Sequence, residues 1–212
     1  MISPGTENNN PLQRRREPQQ KRSQKRINEI LEVTARLLAR VGLDDLTTVL
    51  IARELGISVG SVYHYFPNKF AILYAVGERW LEEMSTVLGT VESLDLEKMG
   101  IEGFVDQYCD EMLKTYRLQI AVLPMVQAMV TMPELRKLDE LYSEKIISCL
   151  MKICRRLGIR KKDDELYRIG CLMVELSHAL FMVIVEQNEQ GDSKTLTDLK
   201  GILKEYMRQQ MA

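Results

Sequence analysis

From Ile27 onward, apolar residues recur at three- and four-residue intervals. Ile27, Ile30, Leu31, Thr34, Leu37, Leu38 and Val41 form one stripe along a helix, and Gly42 supplies a natural stop. Two short segments, 48–55 and 59–66, follow with Gly56 between them, and a longer one opens at Asn68 after Pro67. The same periodicity predicts helices over 68–88, 97–117, 119–131, 133–157, 164–189 and 194–210. Thr131-Met132-Pro133-Glu134 reads as a capping box with proline in the first turn, Gly158 as the end of that helix, and Gly191-Asp192-Ser193 as a break before the last. No strand pattern and no 20–50-residue repeat appear, so the fold class expected is all-α. Residues 1–22 hold Pro4, Gly5, Pro11, Pro18 and an Asn run with almost nothing apolar, and read as a disordered basic arm, either a polyanion contact or a solvated tail.

Composition narrows the function. Of 212 residues, 45% are hydrophobic, enough for a sizeable core, and the net charge of −1 excludes bulk-charge coating of nucleic acid. The charge is uneven, however. Residues 1–26 carry seven basic and two acidic side chains, whereas 81–212 carry 17 basic and 22 acidic, so one end alone is suited to a polyanion. No apolar run approaches the roughly 20 residues that span a bilayer, and no signal-peptide core is evident; no membrane role and a cytoplasmic location are expected. The four cysteines are then expected to be reduced thiols.

Residues 47–69 carry the most specific signal. In a helix-turn-helix, a small residue must stand where the second helix crosses the first, and Ala52 does so; the turn needs a residue tolerant of positive φ, and Gly56 supplies it. Ile51, Leu55, Ile57 and Val62 fall where the shared core needs apolar side chains. The second helix exposes Ser58, Val59, Gly60, Ser61, Tyr63, His64 and Tyr65 within two turns. Small residues at its start allow close approach to a phosphate or base edge, and the hydroxyls and rings that follow can reach phosphates and thymine methyls. Phe66 reads as core, and Tyr63 is expected to keep its hydroxyl outward.

With Thr47-Thr48, Ile51-Ala52, Gly56-Ile57-Ser58, Gly60-Ser61-Val62-Tyr63, Tyr65-Phe66 and Lys69 in these places, residues 25–80 resemble the TetR/AcrR family of bacterial repressors. The resemblance implies an N-terminal DNA-binding domain over 23–67 and a helical ligand-binding and dimerisation domain over 68–212. It implies that Thr47 and Thr48 hold phosphate, that Val49 offers an apolar contact, and that Val59, Gly60, Tyr63 and His64 face the major groove of double-stranded operator DNA. Ser61 and Tyr65 would touch the DNA backbone, and Lys69 would bind phosphate. Two features depart from the family pattern: Phe70 follows the lysine, and the reading face has no Arg, Asn or Gln, which shifts specificity toward Tyr63, His64 and DNA shape.

The body is rich in methionine, which either fills core gaps or lines an adaptable cavity. Candidate wall residues for an unidentified small apolar or amphipathic effector are Tyr108, Met112, Tyr116, Met125, Met129, Tyr142 and Met173. His178, in an apolar helix, reads as a core or interface histidine or as a ligand contact. Helix 164–189 is apolar on more than one side, and Leu196, Leu199, Leu203 and Met207 offer a complementary stripe, so the last two helices are the expected homodimer surface. No catalytic set assembles, no metal-ligand spacing occurs, and no cofactor is expected; the protein is read as a regulator, not an enzyme. Two alternatives keep the same fold: action through a protein partner, and a thiol redox regulator using Cys154 beside Arg155 and Arg156. A helical enzyme is the alternative of another class.

Overall fold

The computed structural model describes residues 21–119, 121–186 and 189–211, and every regular element among them is a helix. Residues 1–20, most of the expected basic arm, lie outside the described residues. Helix α1 (Lys21–Asp45) buries Ile27, Ile30, Leu31, Leu37 and Leu38 along the predicted stripe, and its regular course breaks at Gly42, whose φ of 76° is left-handed. Helix α2 (Thr48–Leu55) is capped by Thr47, whose hydroxyl accepts the Leu50 N–H at 3.1 Å. It ends on Gly56 at φ 65°, ψ 33°; there Gly56 N–H donates to the Arg53 carbonyl and Ile57 N–H to that of Ala52. Helix α3 (Val59–Tyr65) starts on a Ser58 cap that accepts the Ser61 N–H. Ile51, Ala52, Val62 and Phe66 are buried between these helices and α1. Each such large side chain contributes about 1.5–3 kcal/mol by leaving water, which fixes the α2–α3 crossing.

Helix α4 (Lys69–Glu92) begins three residues after α3, capped by Asn68, and continues from the DNA-binding head into the body. The body comprises α5 (Leu96–Leu118), α6 (Val122–Thr131), α7 (Pro133–Arg156), α8 (Asp163–Glu186) and α9 (Glu189–Gln209). In it α4 packs on α5 and α7, α7 on α8, α8 on α9 and α9 back on α5, while α6 lies between α1 and α7. Glu102 and Asp106 and Asp110 of α5 meet Lys200, Lys204 and Arg208 of α9 in a ladder of ion pairs, with Lys204 Nζ 2.8 Å from Asp106 and Lys200 Nζ 2.6 Å from Asp110.

Several expectations need correction. Thr131 does not cap α7: it is the last residue of α6, its hydroxyl donates to the Ala128 carbonyl, and Met132 occupies the cap position ahead of Pro133. Helix α9 opens at Glu189 and already runs through Gly191-Asp192-Ser193, because the helical backbone tolerates all three. Gly100, at φ 65°, breaks α5 near its start. Helix α8 is, by length and composition, apolar enough to cross a bilayer. Its apolar residues instead face two ways, with Leu166, Ile169, Met173, Phe181 and Ile184 in the core, Leu172 and Val183 outward, and Leu176 half-buried between them.

Candidate nucleic-acid interface and effector cavity

The outer side of α3 and the first turns of α1 share one polar groove, lined by Arg22, Lys25 and Arg26 on one wall and by Ser58, Gly60, Ser61, His64 and Tyr65 on the other. Lys21 and Arg22, the end of the basic segment, open α1 itself. Arg26 pairs with Glu29 at 2.8 Å. Gly60 and His64 are exposed, and a Cβ built on Gly60 would come no nearer than 3.8 Å to any other atom, so packing does not demand glycine there. The His64 and Tyr65 rings meet edge to face at 5.0 Å.

Behind this face, two expected contact residues have structural employment. Thr48 is buried, with its hydroxyl 3.1 Å from Tyr63 Oη, so the Tyr63 hydroxyl turns inward onto α2 while its ring stays exposed, contrary to the outward hydroxyl expected. Lys69 donates to the Leu43 carbonyl at 3.2 Å, tying the end of α1 to the start of α4, and its ammonium lies 5.6 Å from the Phe70 ring. Thr47 and Val49 are exposed at the start of α2, and Val59 and Ser61 are half-buried. Arg40 and Glu54 join α1 to α2 at 3.1 Å, and the guanidinium holds the Glu54 carboxyl below its ordinary value.

The body encloses a cavity of about 300 Å³ between α4, α5, α6, α7 and α8. Of the residues expected on its wall, Tyr108, Met112, Tyr116 and Met129 line it. Met125, Tyr142 and Met173 do not, and each has another partner: Met125 Sδ packs against Gly77, Tyr142 lies under Lys145 Nζ at 4.1 Å, and Met173 is in the core. Methionine-rich composition marks mobile apolar volume but not which side of a helix faces a void.

The same wall carries polar and charged groups that periodicity did not single out: Trp80, Arg136, Asp139, Glu175 and His178. His178 Nδ1 lies 2.5 Å from Tyr116 Oη. Burial pushes the His178 pKa down against the opposing pull of Asp139 and Glu175. Burial pushes the Asp139 carboxyl up, opposed by His178 and reinforced by Glu175 and Glu140. A signal for His178 was present in the sequence, a lone histidine in an apolar helix, but core, interface and ligand readings share it.

Three of the four cysteines are shifted toward the neutral thiol. Burial pushes Cys109, Cys149 and Cys154 up to about 12, so all three remain neutral. Arg155 turns to Asp163 at 2.7 Å and Arg156 to the backbone carbonyls of Glu92 and Leu94, so neither guanidinium is committed to the Cys154 sulfur.

A helix-turn-helix head with an exposed, basic-flanked second helix, carried on a helical body with an internal cavity, defines a DNA-binding transcriptional regulator. Residues 30–76 match the bacterial regulatory proteins of the tetR family, and residues 99–211 match the tetracyclin repressor-like C-terminal domain; the chain belongs to the TetR family. It is 25% identical over 143 residues to the HTH-type transcriptional regulator BetI of Escherichia coli K12 DH10B, covering 66% of this chain and 73% of that protein. A TetR-family regulator from Streptomyces coelicolor superposes with a TM-score of 0.61 at 25% identity, over 87% of this chain and 98% of that one. A TetR regulator from Haloarcula marismortui shares the fold with a TM-score of 0.69 at 21% identity, over 87% and 97% of the two chains.

Proposed function

We propose that the protein is a cytoplasmic homodimeric repressor whose two α3 helices enter successive major grooves of an operator, and that a small molecule in the body cavity releases it. The groove between α1 and α3 carries this reading, because it places three basic side chains beside a helix whose outer face is small, hydroxylic and aromatic. Arg22, Lys25 and Arg26 then engage phosphates on one flank, with Thr47 and the α2 N-terminus on the other. Val49, Gly60, Tyr63 and His64 address bases, Val59, Ser61 and Tyr65 flank them, and Thr48 acts chiefly by bracing Tyr63. Lys69 serves the α1–α4 junction and has hydrogens left for a phosphate.

The partner surface is the outward stripe of α8, where Leu172, Leu176, Ala179 and Val183 stand at helical spacing, joined by Ile202 of α9; Leu172 is 45% and Ile202 48% exposed. The α9 stripe expected for this role is otherwise spent inside the body, since Leu199, Leu203 and Met207 are buried in the protomer's own core. Two heads on such a dimer read half-sites about 34 Å apart along the duplex. A ligand that favours another spacing lowers operator affinity by population shift.

Genomic fragments retained by the purified full chain test the reading. A palindromic motif with half-sites one or two helical turns apart is expected. His64→Ala should cost about 1–3 kcal/mol on that motif and little on random DNA. Equal affinity for motif and random duplex would overturn it.

A further inference from the structure

The cavity wall is not electrically balanced. Asp139 and Glu175 both line it, and neither forms an ion pair among the described residues. The other charged lining group is Arg136, whose guanidinium donates to the Val130 carbonyl at 2.7 Å, and His178 is held toward its neutral form by burial. The lining therefore holds one uncompensated negative charge. Around it stand aromatic rings: Trp80 and Tyr116 meet edge to face at 5.8 Å and 84°, and Phe181 lies 5.2 Å from Tyr116. Glu175 is exposed and Asp139 half-buried at the mouth of this wall. Carboxylates that share a cavity with aromatic rings favour an organic cation, because the charges and the ring quadrupoles both attract it. A neutral guest leaves a carboxylate desolvated without a partner, and an anion adds like-charge repulsion. Trp80 is only 5% exposed and lines the cavity through its ring.

We infer that the cavity takes an amphipathic organic monocation, its charge facing Asp139 and Glu175 and its apolar part against Trp80, Tyr116 and Phe181. This deepens the effector reading above and rests on it for its regulatory meaning, though not for the binding itself. The cavity size sets the scale of the guest, at the small end of ligand sites.

Trp80 is the single tryptophan of the chain, so its fluorescence reports occupancy of this cavity directly. Three probes of one shape separate the cases: (2-phenoxyethyl)trimethylammonium, its neutral carbon counterpart 3,3-dimethylbutyl phenyl ether, and the anion 3-phenoxypropanoate. The cation should shift Trp80 emission and bind at least about tenfold more tightly than the ether, about 1.4 kcal/mol, with the anion weakest. An Asp139→Asn/Glu175→Gln double variant, its fold checked by melting, should lower cation affinity about tenfold and change that of the ether less than twofold. The inference is overturned if the ether or anion binds as well as the cation, if no probe binds, or if the double variant keeps the preference. Fluorescence anisotropy of labelled operator, read in parallel, separates the two claims. Cation binding with undiminished DNA affinity would sink the effector reading and leave the ligand class standing. DNA release by the ether alone would do the reverse.

Discussion

Gly60 faces open space on α3 in a helical conformation, with no neighbour a methyl group would disturb. Glycine in a helix costs about 0.5–1 kcal/mol relative to alanine, and packing within the chain does not account for it here; the proposed close approach of DNA would. Gly60→Ala is expected to raise thermal stability slightly and to weaken operator binding; a melting curve and an anisotropy titration on the same sample check both signs. Asp139 presents the same opposition through charge. Its folded pKa lies above the unfolded value of about 3.9, so the fold loses stability as pH rises from there through the raised value. Asp139→Asn should therefore melt higher than the parent at pH 7.5, and the gap should close below about pH 4. Thr48 illustrates a smaller effect: Thr48→Val removes the bond to Tyr63 Oη and should cost about 1 kcal/mol, with Thr48→Ser restoring most of it.

At the scale of helices, the α5–α9 ladder repeats every four residues on both partners, Glu102, Asp106 and Asp110 against Lys200, Lys204 and Arg208. Lys200 and Lys204 are largely covered, so these pairs are screened less than free surface ones. Asp106→Asn should lower stability by about 0.5–1 kcal/mol at low salt, and by less in 1 M salt, measured by denaturant unfolding. The helices themselves were legible in the sequence because their periodic stripes were long: 48–55 and 133–157 were expected, and Thr48–Leu55 and Pro133–Arg156 are found. Junctions were less so. Thr131 satisfied the capping pattern yet belongs to the preceding helix, since a hydroxyl can cap forward or bond back within its own turn. The helix-turn-helix frame was legible because the turn at Gly56 and the core positions Ile51, Ala52 and Val62 fall within 20 residues. The cavity wall was legible only in part, in Tyr108, Met112, Tyr116 and Met129, because its members come from five helices and only the packing of α4 on α5 and α7 brings Trp80, Tyr116 and Asp139 together.

For the whole molecule, the outward stripe of α8 sets the expected assembly. Leu172→Glu with Val183→Glu should leave the protomer folded, convert the dimer to a monomer in size-exclusion chromatography with light scattering, and abolish binding to a two-half-site operator while sparing weak single-site contact. In the proposed assembly, helix α4 would link the two functions, since it runs from the head into the body. It starts at Lys69, pinned to Leu43 at the end of α1, and passes Trp80 and Met84 on the cavity wall. Eleven residues separate Lys69 from Trp80, a stiff arm of roughly 17 Å at 1.5 Å per residue. Pivoted on its contacts with α7, an arm of that length converts a tilt of about 5° into a displacement of about 1.5 Å at its far end. Direct contacts to DNA tolerate only a few tenths of an ångström, and in the proposed dimer two-fold symmetry would apply the displacement at both heads at once. Under the proposed function, a guest that turns α4 at the cavity by a few degrees, less than a side-chain rotamer change, would carry both α3 helices out of register with the groove.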